Sequence, residues 1–272
     1  MDVPGFALIT GAASGIGKAC AFGFFNEGCA GIALLDVNLD ALKEVKSMIQ
    51  QRQDERKIST PCQIEVYSVD VTDEAQVFEI VNDAATKFGR LDYVVNAAGI
   101  AMKHEGGVGF AHTKDWQRIF DVNMNGTFYV LKAAVQIMLK QDPILSSITG
   151  KPLQRGSIVN FSSIQGLVGV PLSGAYTATK HAVLGLTRTA SEDYAKDGLR
   201  INAICPGYTE TPLTTKSPAI LKAMMEKVEV AVPMHRMGQP EEIADGVLYL
   251  AGGRSSFVTG TALSVDGGYC QR

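Results

Sequence analysis

Tyr176 and Lys180 stand four residues apart in Tyr176-Thr-Ala-Thr-Lys180, and Ser163 precedes the tyrosine by thirteen. Side chains at a four-residue spacing share one face of a helix, so a phenol and an ammonium would point into the same space. An ammonium beside a phenol favours the phenolate and draws the tyrosine pKa down from about 10. A tyrosine tuned this way can move a proton to or from a substrate oxygen near neutral pH. Alone, the pair is a weak signal, since most such pairs are an exposed cation beside a half-buried ring. Catalysis would also need a bound hydride carrier, a partner for the substrate oxygen and a scaffold.

A carrier site is readable near the N-terminus. Thr10-Gly-Ala-Ala-Ser-Gly-Ile-Gly17 follows an apolar run at 6–10 and opens an apolar helical pattern. Gly11, Gly15 and Gly17 permit a tight turn and let the backbone approach a pyrophosphate at a helix N-terminus. The spacing is not Gly-x-Gly-x-x-Gly. It is not a Walker loop either, because Ala12 stands where glycine is required and Ala19 where Ser or Thr is. Asp36 closes the second apolar run, nineteen residues after Gly17. A carboxylate there accepts hydrogen bonds from both hydroxyls of an adenine ribose and repels a 2′-phosphate, although it also suits a strand-ending turn. Ser14 rather than a base precedes Gly15, and no base directly follows Asp36. NAD is therefore expected over NADP.

The elements that must hold these residues alternate along the chain. Short runs rich in Val, Ile and Leu at 6–10, 31–36, 64–69, 93–96, 157–162, 200–205 and 262–265 read as strands buried on both faces. Helical patterns separate them. Val77, Ile80, Val81, Ala84 and Phe88 fall on one face with Asp83 and Lys87 off it, and Ile243, Val247 and Leu250 repeat the pattern. The stretch 120–140 is apolar on most sides, which suggests burial. Seven strands alternating with helices predict a parallel sheet, because parallel neighbours need crossovers, and right-handed crossovers place helices on both faces. The expectation is a single-domain α/β Rossmann-type doubly wound sheet spanning 1–272.

Two segments break the rhythm. The polar, two-proline stretch 141–155 reads as a surface insertion. The segment 208–237 is apolar without being a strand, carrying Leu213, Ile220, Leu221, Met224, Met225, Val228, Val230, Val232, Met234 and Met237. Flexible, methionine-bearing surface can mould itself to an irregular apolar ligand, though a helix packed on the core fits equally.

Composition excludes several classes. The 272 residues are 46% hydrophobic and 19% charged with net charge −3 and no Lys/Arg block, which argues against nucleic acid and an anionic membrane. No apolar run reaches the ~18–20 residues of a membrane helix, and no signal-peptide pattern opens the sequence. Tyr-Cys-Gln-Arg272 shows no peroxisomal or retention signal. The five cysteines form no Cys-x-x-Cys pair and read as reduced, core-filling thiols; a cytoplasmic location is the resulting expectation. The four histidines and the carboxylates form no metal-ligand spacing.

Taken together the motifs resemble the short-chain dehydrogenase/reductase family from residue 6 to 269. The resemblance is carried by Thr10-Gly-x-x-x-Gly-x-Gly17, Asp70-Val71, Asn96-Ala-Ala-Gly99, Asn123 in Val-Asn-Met-Asn-Gly126, Ser163, Tyr176-x-x-x-Lys180 and Pro206-Gly207. It implies that Tyr176 is the general acid/base and that Lys180 lowers its pKa and binds the nicotinamide ribose. It further implies that Ser163 hydrogen-bonds the substrate oxygen and that Asn123 holds a water linking Lys180 to solvent. Asn125 and Ser162 compete, but the family pattern aligns Asn123, and only Ser163 has the thirteen-residue spacing. By the same resemblance Ser14, Ile16 and Gly17 line the pyrophosphate turn, and Asp70 and Val71 meet the adenine. Asn96 to Gly99 flank the adenosine ribose, while Pro206, Thr209 and Thr211 face the nicotinamide.

The implied reaction is hydride transfer between NAD and a secondary alcohol or ketone. With no Arg/Lys cluster evident in 208–237, an apolar steroid-, terpenoid- or polyketide-like substrate is expected, its side of the site formed by 101–113 and 208–233. The competing readings are an NADPH-dependent carbonyl reductase and a non-catalytic dinucleotide sensor. The complete set Ser163, Tyr176, Lys180 and Asn123 weighs against the sensor. The four-residue Tyr–Lys spacing departs from the longer one associated with enoyl reduction. Relatives commonly assemble through helices near 115–140 and 174–196, so a homodimer or homotetramer is expected.

Overall fold

The computed structural model describes residues 1–57, 61–215 and 217–271; Lys216 of the 208–237 segment and the C-terminal Arg272 lie outside the described residues. β1 (Phe6–Thr10) passes through α1 (Gly15–Asn26) to β2 (Gly31–Asp36), and α2 (Leu39–Arg56) leads to β3 (Gln63–Ser68). α3 (Glu74–Phe88) then carries the chain back past β1 to β4 (Tyr93–Asn96). α4 (Thr113–Phe120), a π-helical turn (Asp121–Gly126) and α5 (Thr127–Met138) precede β5 (Gly156–Phe161). α6 (Gly174–Tyr194) leads to β6 (Leu199–Pro206), and α7 (Pro218–Ala231) and α8 (Pro240–Ala251) lead to β7 (Ala262–Val265).

The strands are parallel throughout, in the order 3-2-1-4-5-6-7. The order reverses between β1 and β4, and an open sheet of this kind presents its ligand crevice beyond the carboxyl ends of the strands at that reversal. The doubly wound expectation holds. Strand alternation sends Ala7 and Ile9 to one face with Phe24, Leu42, Ile49 and Val247 of α1, α2 and α8. Leu8 goes to the other face with Val77, Val81, Val130 and Met138 of α3 and α5. Three strands begin or end one residue away from their sequence-read limits. Gln63 already pairs through its N–H to Ala30, and Gly156 and Leu199 already pair with each other.

α3 shows how the pattern becomes structure. Asp73 caps it by accepting from the Gln76 N–H, and Gly89 ends it in the left-handed region at φ 78°. Its apolar stripe is buried while Asp83 and Lys87 pair outside at 2.8 Å. The stretch 113–138 runs on in right-handed helical backbone from α4 through the π-helical turn into α5. Such turns insert an extra residue and often mark functional positions.

The 141–155 segment, read from sequence as a surface insertion, forms a short hairpin. Leu145 pairs with Pro152, and Ile144 exchanges backbone hydrogen bonds with Leu153 and Gln154. The Gln141 amide clamps Leu91 and Arg155, just before β4 and β5, at the end of the sheet opposite the crevice. Ser146 and Ser147 hold the Asp2 carboxylate there. The segment 208–237 is divided between packed and exposed side chains. Val228, Val232 and Met237 pack together with Tyr208, Leu221 and Tyr269, whereas Leu213, Ile220, Met225, Val230 and Met234 face outward. Among the described residues no helix is long and apolar enough to cross a membrane.

Candidate active site

The crevice is a cleft of about 800 Å³ beyond the ends of β1, β2 and β4. The glycine turn forms its floor. Gly11 and Gly15 sit at φ 66° and 52°, where a side chain would be strained, and a Cβ on Gly17 would run into the Gly11 carbonyl. Ser14 precedes α1 without a side-chain cap, and no acid occupies the first helical turn, so the positive helix end stays open to the cleft. This cradle fits a dinucleotide pyrophosphate. Asp36 lies at the mouth, with one oxygen accepting from the Ala13 N–H at 3.2 Å and the other from the Asn38 N–H at 3.1 Å. Asp70, Val71 and Gly99 line the same cleft. Asp70 is oriented by Thr72, whose N–H and hydroxyl donate to it at 3.0 and 2.8 Å.

The second group of residues meets at the adjoining ends of β4 and β5. Lys180 is 4% exposed; its Nζ donates to the Phe161 carbonyl at 2.7 Å and lies 5.5 Å from the Tyr176 ring centroid. Asn123, buried in the π-helical turn, accepts from the Ile100 N–H at 2.9 Å and donates to the Ile100 carbonyl at 2.9 Å. Gly99 lies between the two. A Cβ there would be 3.3 Å from Asn123 Oδ1 and 3.6 Å from Lys180 Nζ. Ser163 is buried with its Oγ accepting from the Gln165 N–H. The neighbouring Ser162 has its hydroxyl turned to the Lys180 carbonyl at 2.9 Å.

The electrostatics differ from the sequence-level argument. Burial pushes the Tyr176 phenol up from its ordinary value, and the Ser163 side chain pulls it back in part. Lys180 is itself pushed down to about 8 by burial, and its ammonium sits over the phenol ring. Desolvation is the largest cause of both shifts.

Other expected positions divide. Ile16, Gly17, Ser14 and Thr211 line the cleft, and Thr211 packs against Gly15. Thr209 is buried with its hydroxyl turned to the Gly207 carbonyl, so Thr211 is the threonine that faces the cleft. Pro206 ends β6 beside Gly207, where a Cβ would meet Asp266 Cα at 2.7 Å. Asn96 is corrected: it is 2% exposed and donates to Asn160 Oδ1 inside the sheet, leaving Ala97, Ala98 and Gly99 to face the cleft. Strand alternation points its side chain inward. The sequence reading missed a further part of the lining, where α4 contributes Lys114, Asp115, Gln117 and Arg118 and the π-helical turn contributes Asp121. No local motif marks those residues. All five cysteines are free, and burial raises each thiol, as befits unreactive packing residues.

Fold and cleft define a dinucleotide-binding α/β oxidoreductase scaffold. The chain matches the family model described as enoyl-(acyl carrier protein) reductase over residues 11–270. It is 36% identical over 270 residues to the short-chain dehydrogenase srdC of Neurospora crassa, covering 98% of this chain and 97% of that protein. Levodione reductase superposes with a TM-score of 0.86 at 31% identity, covering 100% of this chain and 99% of that one. ElxO, solved with NADP bound, gives 0.84 at 34%, covering 99% and 100%. The chain belongs to the short-chain dehydrogenase/reductase family.

Proposed function

We propose that this chain is an NAD-dependent oxidoreductase that moves hydride between a secondary alcohol or ketone of an apolar small molecule and the nicotinamide. The observation that carries the reading is the convergence of Tyr176, Ser163, Lys180 and Asn123 beside a cleft that fits a dinucleotide. Bound NAD supplies the hydride acceptor, and its positive ring adds to the forces favouring a phenolate. In the oxidative direction Tyr176 takes the substrate hydroxyl proton; in the reductive direction it returns it. Ser163 donates to the substrate oxygen and stabilises charge developing there. Lys180, fixed by the Phe161 carbonyl, presents its ammonium to Tyr176 and the nicotinamide ribose. Asn123 holds the 99–100 backbone against Lys180 and keeps an amide oxygen on that side, where a water can join the proton path.

Asp36 supports NAD, since its carboxylate favours ribose hydroxyls over a 2′-phosphate. A second reading, an NADPH-dependent carbonyl reductase, draws support from the NADP-bound ElxO and from levodione reductase. Leu213, which lines the cleft, and the exposed Ile220, Met225 and Met234 that follow it in the chain support an apolar substrate. We further propose a cytoplasmic homodimer or homotetramer using the outer faces of α4, α5 and α6, where Phe128 is 38% exposed; light scattering at micromolar concentration tests it. The deciding assay compares initial rates on a panel of apolar secondary alcohols and their ketones with each cofactor, followed at the absorbance of reduced nicotinamide. Turnover with NAD is expected; a strong NADP preference would transfer the conclusion to the second reading.

A further inference from the structure

α4 supplies a wall of the cofactor cleft that no motif announces. Lys114 and Arg118 are four residues apart and therefore share a helix face, and both line the same cleft as Asp36, Asp70 and Val71. The helix is anchored on its other side. Ile119 is fully buried, and Trp116 stacks on Phe120 with ring centroids 5.0 Å apart. The π-helical turn that buries Asn123 follows directly, so the position of α4 is tied to that of the catalytic group.

The charges in the cleft are not equally engaged. Asp36 and Asp70 accept backbone hydrogen bonds, and Asp121 accepts from Gln117 and Asn125. Asp115 is the one cleft carboxylate of α4 with no such bond among the described residues. Among the described residues the side chains of Lys114 and Arg118 likewise make no hydrogen bond and no ion pair. Two cations with nothing to neutralise them therefore overlook a cleft whose acids are mostly spoken for. Val71, 8% exposed and packed against Gly126, adds an apolar edge to the cleft lining. A guanidinium stacks well on an aromatic base, and a lysine ammonium attracts phosphate as a point charge.

We propose that Arg118 and Lys114 form the grip on the adenylate half of the dinucleotide, with Arg118 stacking on the adenine held against Val71 and Lys114 attracting the adjoining phosphate. The inference rests on the dinucleotide reading and adds to it a recognition site outside the glycine turn. It also places the cofactor-binding cations on the helix that leads into Asn123, so that binding of the adenylate half would steady the turn carrying that residue.

The test is calorimetric titration of the full chain with NAD and with 5′-ADP, for wild type, Arg118→Ala, Arg118→Lys and Lys114→Ala. Arg118→Ala should weaken both ligands by about tenfold. Arg118→Lys should recover only part of that, because it restores the charge and not the planar stack. Lys114→Ala should flatten the salt dependence of ADP binding. Both residues are exposed on the helix surface, so unliganded melting temperatures should match wild type. ADP affinity within twofold of wild type in both Arg118 variants would overturn the inference. A wild-type chain that binds neither NAD nor NADP would instead overturn the dinucleotide reading itself.

Discussion

The buried ammonium of Lys180 donates a 2.7 Å hydrogen bond to the carbonyl of Phe161, the last residue of β5. A helix side chain is thereby fixed by the end of a strand. The carbonyl accepts from a cation that burial disfavours, and it holds that cation over the Tyr176 ring. The geometry of the group is set by the sheet rather than by the helix that carries both residues.

Removing the Tyr176 hydroxyl should separate chemistry from binding. Tyr176→Phe should lower turnover by about 10²–10⁴-fold, the usual range for a lost acid/base group, while leaving NAD affinity within a few fold. Absorbance of reduced nicotinamide and calorimetry read the two quantities. Near-full activity in the variant would end the proposed mechanism.

Lys180 makes a stability prediction with a definite sign. Its pKa is about 8 in the protein against 10.5 ordinarily, so the unfolded chain binds more protons between those values and stability rises with pH there. Below pH 8 the full penalty of a buried ammonium is present. Lys180→Met should therefore be inactive yet melt higher than wild type at pH 7, with the gap closing toward pH 10.5. Scanning calorimetry across that range checks it.

The glycine turn should discriminate sharply between its members and an ordinary glycine. Gly17→Ala drives a methyl into the Gly11 carbonyl and should weaken dinucleotide binding about 100-fold or more, since the backbone must retreat from the pyrophosphate site. Gly28 has open space around its Cβ position and a φ of 83°. Gly28→Ala should cost only about 1 kcal/mol of stability and leave binding intact. Equal binding losses in the two would refute the cradle.

Asp36 should set cofactor preference. Asp36→Ala removes the acceptor for ribose hydroxyls and the repulsion toward a 2′-phosphate. The ratio of kcat/KM with NAD to that with NADP should fall at least about tenfold, a change of 1.4 kcal/mol. An unchanged ratio would assign the preference elsewhere in the cleft.

Arg200 should matter for stability alone. It is 6% exposed and its guanidinium donates to the carbonyls of Leu250, Ala251 and Gly252 at 2.7, 2.7 and 3.1 Å, closing the end of α8. Arg200→Ala leaves those acceptors buried and should cost about 3–5 kcal/mol. The urea midpoint should drop accordingly, with cofactor affinity of the folded fraction retained.

Much of the chain was readable before folding. Alternation of short apolar runs with helical stripes dictated a parallel sheet, because strands buried on both faces leave no other arrangement. Gly11, Gly15, Gly17 and the Ser163–Tyr176–Lys180 spacing are local patterns, and local geometry carried them into one crevice. Asn96 defeated that approach: its position in a motif suggested a cofactor contact, but strand alternation turned it to Asn160. Lys114 and Arg118 were invisible for the opposite reason, since no motif surrounds them and only the return of α4 over the switch point brings them to the cleft. The Tyr176 proton affinity was likewise undecidable from spacing, because desolvation depends on everything packed around it. Sequence by itself determined which residues could do chemistry and on what scaffold. Tertiary structure decided which side chains share the crevice and how much water they retain, since both depend on segments far apart in the chain.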